Sequence, residues 1–247
     1  DDYLLDCNYG GRHMRRDELP DGGLCTQGDD GDNYQAVLFG DSHAAHYFAA
    51  VSEWAKSQGL GVRLLGSLGC PALLGDFDMT KPKVGVASKC RGFSDAVEQL
   101  LVDNEQIKYV FLAMRMDLYT HFDGVRLVDG IDTSRDLANS QRVFAKNLEY
   151  TLKLLAEHGK QVILLGQVPL LANDPVGCHL NAKVLLSKWL PIREDRDDCF
   201  RFDNQLCEEN LKFVFSVLDQ LKNKYAFYYF DPVIHFDSAV ADGYILY

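Results

Sequence analysis

The chain has 247 residues, 47% hydrophobic and 25% charged, an ordinary globular composition with length for one large domain or two small ones, of which one is the simpler expectation. Its formal charge is −11, from 25 basic and 36 acidic side chains, which argues against a nucleic-acid partner and against anionic surfaces in general. No apolar run approaches the roughly 18 residues that cross a bilayer, and the opening Asp1-Asp2-Tyr3, without initiator methionine or signal peptide, is expected of a piece processed from a longer polypeptide.

Residues 1–34 are rich in Gly and Asp and read as an irregular N-terminal strap. Ala36 to Phe39 is the first buried strand. It leads into a helix from about His43 to Ser57, where Ala45, Phe48, Val51 and Ala55 recur at helical spacing and Gly59 ends the run. Val62 to Leu65 is the second strand, opening into Gly66-Ser67-Leu68-Gly69-Cys70-Pro71 and irregular sequence as far as Cys90. A helix from about Phe93 to Asp103 precedes the third strand, Lys108 to Ala113, apolar through its centre as a strand covered on both faces should be.

A polar loop through Asp132 then gives way to a long helix ending at His158, with Ser134 as its predicted cap and Leu137, Phe144, Leu148, Leu152 and Leu155 as its inward stripe. The fourth strand, Gln161 to Leu165, ends in Gly166-Gln167-Val168-Pro169, and the excursion onward to Cys199 holds one short predicted helix, Ala182 to Trp189. A last helix, about Phe202 to Asn223, and a fifth strand, Ala226 to Phe230, whose aromatic residues read as core, complete the pattern. Strands alternating with helices predict a three-layer α/β sandwich around a parallel sheet of about five strands. In such a sheet the ligand site lies beyond the carboxyl ends of the strands, where Ser42, Gly69, Arg115 and Gln167 fall.

Seven cysteines are many for a cytosolic chain of this size, and six fall into local pairs in irregular sequence: Cys7 with Cys25, Cys70 with Cys90, Cys178 with Cys199. Six free thiols or a zinc site are the alternatives, but Cys-x-x-Cys spacing is absent. Disulfides fit better; each closed loop would contribute roughly 3 kcal/mol, and an oxidising compartment follows. Cys207 shares a helical face with Leu211, Val214, Leu218 and Leu221 and reads as a small core residue.

Within Gln35 to His46 a buried strand runs through a sharp turn straight into a helix, and Ser42 sits on the turn. A serine there has its hydroxyl at the open end of the sheet and its N–H at a helix N-terminus, where unpaired amides and the dipole favour negative charge. That is a nucleophile's position. Asp41 reads as the residue that caps the turn, His43 and His46 as helix-face residues, and His13, His121, His158 and His179 as surface or loop residues. His235 follows Asp231 by four residues, and no Asp-x-x-His occurs in the chain.

Gly40-Asp41-Ser42 after an apolar strand resembles the first block of the SGNH (GDSL-like) hydrolase superfamily. With Phe39 to His46, Gly69-Cys70-Pro71-Ala72-Leu73, Cys90-Arg91-Gly92-Phe93, Phe111 to Arg115, Val168-Pro169 and Cys178, the chain from Cys7 onward resembles the SGNH domain fused to bacterial type 3 membrane acyltransferases. The resemblance implies an SGNH hydrolase-like fold of flavodoxin-like topology over 35–247. It implies a serine O-acyltransferase moving an acyl group, commonly acetyl, onto an extracytoplasmic glycan such as O-antigen or peptidoglycan. Ser42 would accept the acyl group. The oxyanion hole would be built from the Ser42 and Gly69 amides and Arg115, which stands where the superfamily usually has Asn.

The same resemblance places the catalytic Asp and His in an Asp-x-x-His segment beyond Tyr247. It implies a glycan acceptor, a membrane acyltransferase domain in the same polypeptide as acyl supplier, a periplasmic or extracytoplasmic site tethered to the inner membrane, and no metal or organic cofactor. An extracytoplasmic esterase of the same fold and a non-catalytic glycan- or partner-binding module are the alternatives.

Overall fold

The computed structural model describes residues 25–28, 33–80, 90–122, 125–167 and 204–234, the side chains of 204–207 excepted. The elements are β1 (Thr26–Gln27), β2 (Ala36–Gly40), α1 (Ser42–Ser57), β3 (Val62–Gly66), β4 (Asp78–Thr80), α2 (Cys90–Asp103), β5 (Tyr109–Ala113), α3 (Met116–Thr120), β6 (Arg126–Val128), α4 (Leu137–Glu157), β7 (Gln161–Leu165), α5 (Asn204–Lys222) and β8 (Tyr228–Phe230). The chain divides into two compact units, residues 1–167 with 211–230, and residues 168–210 with 231–247. Both sheets belong to the first unit. In the second, the Val233 N–H donates to Asp231 Oδ1 at 2.9 Å.

Six strands form one sheet in the order β1-β3-β2-β5-β7-β8, and β4 pairs with β6 in a separate ladder. Every pairing in the large sheet is parallel except β1 against β3. Along the parallel part the order is second, first, third, fourth, fifth, the flavodoxin-like arrangement that the resemblance implied.

Residues of β2 are buried throughout because both faces are covered. Successive side chains of a strand point to opposite faces. Ala36 and Leu38 therefore pack with Ala44, Phe48, Val51 and Ala55 of α1. Val37 and Phe39 join the larger cluster, with Phe93, Val97 and Leu101 of α2, Phe144, Leu148, Leu152 and Leu155 of α4, and Leu211, Val214, Leu218 and Leu221 of α5. Helices thus flank the sheet on both sides, giving the three layers of an α/β sandwich.

Five local features differ from the sequence reading, among them β4, which lies in the stretch read as irregular before Cys90. The strap contributes β1, an antiparallel edge of two residues, too short to show a period. The supposed polar loop after β5 contains α3 and β6. Helix α4 is capped by Asp136, whose Oδ1 accepts the Asn139 N–H at 2.7 Å, while the Ser134 N–H turns to Asp132 Oδ1. Finally, β8 is an edge strand, so its alternation leaves Tyr228 72% exposed and Phe230 39% exposed while Tyr229 packs on the core. The predicted helix Ala182 to Trp189 lies outside the described residues.

Candidate active site

The carboxyl end of β2 lies between β3 and β5, with Gly40 beside both Gly66 and Ala113. A Cβ on Gly40 would come within 1.7 Å of the Ala113 carbonyl oxygen, so the two backbones approach as only glycine permits. Asp41 follows and caps α1, its Oδ1 accepting the His43 N–H at 2.8 Å. Its Oδ2 accepts two further donors, the Arg115 N–H at 2.8 Å and the Tyr119 hydroxyl at 2.9 Å. Burial pushes the Asp41 carboxyl up to about 6, against the opposing pull of those hydrogen bonds and of the Arg115 charge.

Ser42 is the first residue of α1 and is half-buried. Among the described residues its hydroxyl has no hydrogen-bond partner.

Beyond β3 the Ser67 N–H donates to the Gly40 carbonyl at 2.9 Å, and the Cys70 N–H closes a turn onto the Ser67 carbonyl at 2.9 Å. Gly69 is the third residue of that turn, with φ +74°. A positive φ there is what a type II turn demands, and glycine meets it without strain. The middle amide of a type II turn, here the Gly69 N–H, takes no part in closing the turn. A disulfide from Cys70 to Cys90, the first residue of α2, staples the turn from the other side, with Cα atoms 5.3 Å apart.

Beyond β5 the Arg115 side chain is held from two directions. Its Nε donates to Asp117 Oδ1 at 3.0 Å, and its guanidinium carbon lies 5.1 Å from the centre of the Phe122 ring. Asp117 is fully buried, and its N–H donates to Oε1 of Gln167, just beyond β7, at 3.0 Å. Tyr119, also fully buried, sets its hydroxyl between Asp41 Oδ2 and the Gly69 carbonyl, 2.9 and 3.0 Å away. Loops from four neighbouring strands are thereby hydrogen-bonded into one set.

His43 is buried, its ring centre 5.1 Å from that of exposed His46. Burial holds the His43 imidazole down at about 4, and the positive charges of His46 and Arg115 add to the effect. So weak a base suits a packed helix residue better than a proton acceptor at neutral pH. His121 is exposed against Phe122, and the exposed His158 ring meets the Leu154 carbonyl at 2.8 Å.

Of the residues singled out by sequence, Ser42, Gly69 and Arg115 stand at the carboxyl ends of β2, β3 and β5, joined through Asp41 and Tyr119. Cys70 and Cys90 are bonded as expected. Cys25 is also in a disulfide; Cys7, Cys178 and Cys199 lie outside the described residues, as do His13, His179, His235 and the side chain of Cys207. Sequence reading missed Tyr119 and Asp117. For Tyr119 the signal was the spacing of Met116, Tyr119 and Thr120, three side chains on one face of a helical turn, all buried.

The chain matches the family described as SGNH domain (fused to AT3 domains) over residues 6–247. It belongs to this family. No curated protein matches the chain. The family description makes this SGNH domain a module that accompanies AT3 acyltransferase domains. Among the described residues of this SGNH domain, no helix is long and apolar enough to cross a membrane.

Proposed function

We propose that this SGNH domain is the extracytoplasmic acyl-carrying module of a glycan O-acyltransferase, with Ser42 as the nucleophile. The observation that carries the reading is the position of Ser42 at the first turn of α1, directly after the central strand β2, with its hydroxyl uncommitted among the described residues. Family membership supports the acyl chemistry, since the companion AT3 domains are acyltransferases.

In this reading the Ser42 Oγ attacks the carbonyl carbon of a donor acyl group, and its proton passes to the base. The base in this reading is the histidine of the superfamily's Asp-x-x-His block. Negative charge developing on the carbonyl oxygen is met by the Ser42 N–H, one of the unpartnered amides of a helix N-terminus. The Gly69 N–H and the remaining guanidinium N–H groups of Arg115 are the further donors. Collapse breaks the bond to the leaving group, which takes the proton from the base and leaves an acyl-serine. A sugar hydroxyl, deprotonated by the same base, then attacks that ester, forms the new ester and returns the proton to Ser42 Oγ. The reaction needs no metal or organic cofactor, and the acyl donor arrives from the membrane acyltransferase domain of the same polypeptide. An esterase would differ only in the acceptor, water in place of the sugar.

The test is Ser42→Ala in the full-length protein supplied with acyl donor and glycan. Loss of glycan acylation with the fold retained is expected; acylation at the wild-type rate would overturn the reading. Comparing transfer with hydrolysis in the wild-type protein separates transferase from esterase.

A further inference from the structure

The Gly69 turn is placed by its backbone more than by side-chain packing: among the described residues a Cβ on Gly69 would meet only Met79 Cε, at 3.8 Å. The Cys70 N–H closes the turn onto the Ser67 carbonyl, and the Gly69 carbonyl accepts a hydroxyl that reaches in from α3. Through that hydroxyl the turn is joined to Asp41, the cap of α1.

We propose that Tyr119 is a positioning residue for acyl transfer, whose hydroxyl ties the Gly69 carbonyl to the Asp41 carboxyl and so fixes the Gly69 turn against the helix N-terminus that carries Ser42. The inference rests on the reading of Ser42 as nucleophile. Three features support it. The tyrosine is fully buried, so water does not compete for its hydroxyl. The same Asp41 oxygen takes the Arg115 N–H, so the loops after β3 and β5 are referred to a single carboxyl group, one that also caps the helix of Ser42. The Tyr119 backbone is itself anchored, its carbonyl accepting the Ser140 hydroxyl at 2.6 Å.

A hydroxyl has one proton, whereas an ionised Asp41 and the Gly69 carbonyl are both acceptors. The Tyr119 oxygen lies within hydrogen-bond distance of both, 2.9 Å from Asp41 Oδ2 and 3.0 Å from the Gly69 carbonyl, and its proton serves either.

The experiment compares wild type, Tyr119→Phe and Ser42→Ala in the full-length protein. It follows hydrolysis of p-nitrophenyl acetate, normalised to folded enzyme by circular dichroism, together with the rate of fluorophosphonate labelling. Tyr119→Phe is expected to lower kcat by about 10- to 100-fold, with KM within twofold of wild type and labelling slowed in parallel. A structural role alone would lower the unfolding midpoint and leave kcat per folded molecule within twofold, and that result overturns the inference.

Incorporating p-aminophenylalanine at position 119 restores an N–H for each of the two acceptors. It is expected to recover kcat to within about threefold of wild type. A tenfold loss in that folded variant overturns the inference even where Tyr119→Phe does not fold. Wild-type turnover in Ser42→Ala overturns the nucleophile reading itself. Loss in Ser42→Ala with full kcat in Tyr119→Phe overturns only the role of Tyr119.

Discussion

Arg115 and Asp117 form an ion pair 3.0 Å long in which the carboxylate is wholly buried and the arginine side chain about one third exposed. The aspartate thus fixes one edge of the guanidinium and leaves the rest reachable from solvent. Asp117→Asn keeps the shape of the side chain but removes the charge that Arg115 is bonded to. A charged hydrogen bond of this kind contributes about 1–3 kcal/mol, so the urea midpoint should fall correspondingly. An unchanged midpoint would mean that the pair is not holding Arg115.

Asp41 and His43 should make stability depend on pH in opposite directions. The folded state pushes the Asp41 carboxyl up from 3.8 to about 6, so the folded protein binds that proton more tightly than the unfolded chain. The resulting stabilisation is present below about 4 and is lost as pH rises through about 6. The His43 imidazole is held down from 6.5 to about 4, so its contribution runs the other way, present above about 6.5 and lost as pH falls towards 4. Each is worth about 3 kcal/mol at 1.36 kcal/mol per pH unit of displacement, and the two nearly cancel in the wild type.

Removing one of them exposes the other. As pH falls from 7 to 4, wild type should gain about 2–3 kcal/mol over Asp41→Asn and lose a similar amount against His43→Gln. Urea titrations at intervals across that range measure both. Differences that stay flat with pH would contradict the burial of these groups.

Two glycines with unusual backbones should respond very differently to alanine. At Gly40 the added carbon would lie 1.7 Å from the Ala113 carbonyl oxygen, so β2 and β5 must separate where the site begins, at a cost above about 3 kcal/mol. Gly59, with φ +67°, has nothing among the described residues within 4 Å of the place a Cβ would occupy, and its alanine variant should lose only about 1 kcal/mol from the left-handed conformation. Thermal denaturation of the two variants side by side gives the comparison. Similar losses would show that close approach is not what selects glycine at position 40.

The five parallel strands and their helices were legible because apolar side chains recur at a fixed period and burial follows that period, as in Val37 and Phe39 against Leu38. The strands β1, β4 and β6 are two or three residues long and offer no period to read. Ser42 was legible because a strand-to-helix turn dictates its surroundings locally. Tyr119 was not, since its role comes from hydrogen bonds to residues 78 and 50 positions away in the chain. The guanidinium of Arg115 falls between these cases: an acidic neighbour two residues on was visible, but the complete burial of Asp117 was not.

The central place of β2 bears on how the chain is made. Ala36 pairs with Val62 on one side and with Tyr109 on the other, so a nascent chain that has emerged only through α2 carries one open, wholly apolar strand edge. Contacts between segments so distant in sequence form slowly, and an unpaired apolar edge is a template for pairing with a second molecule. Fragments that stop short of β5 are therefore expected to aggregate, and the loops around the serine at the head of α1 join into one hydrogen-bonded set only after the residues through Gln167 have been synthesised.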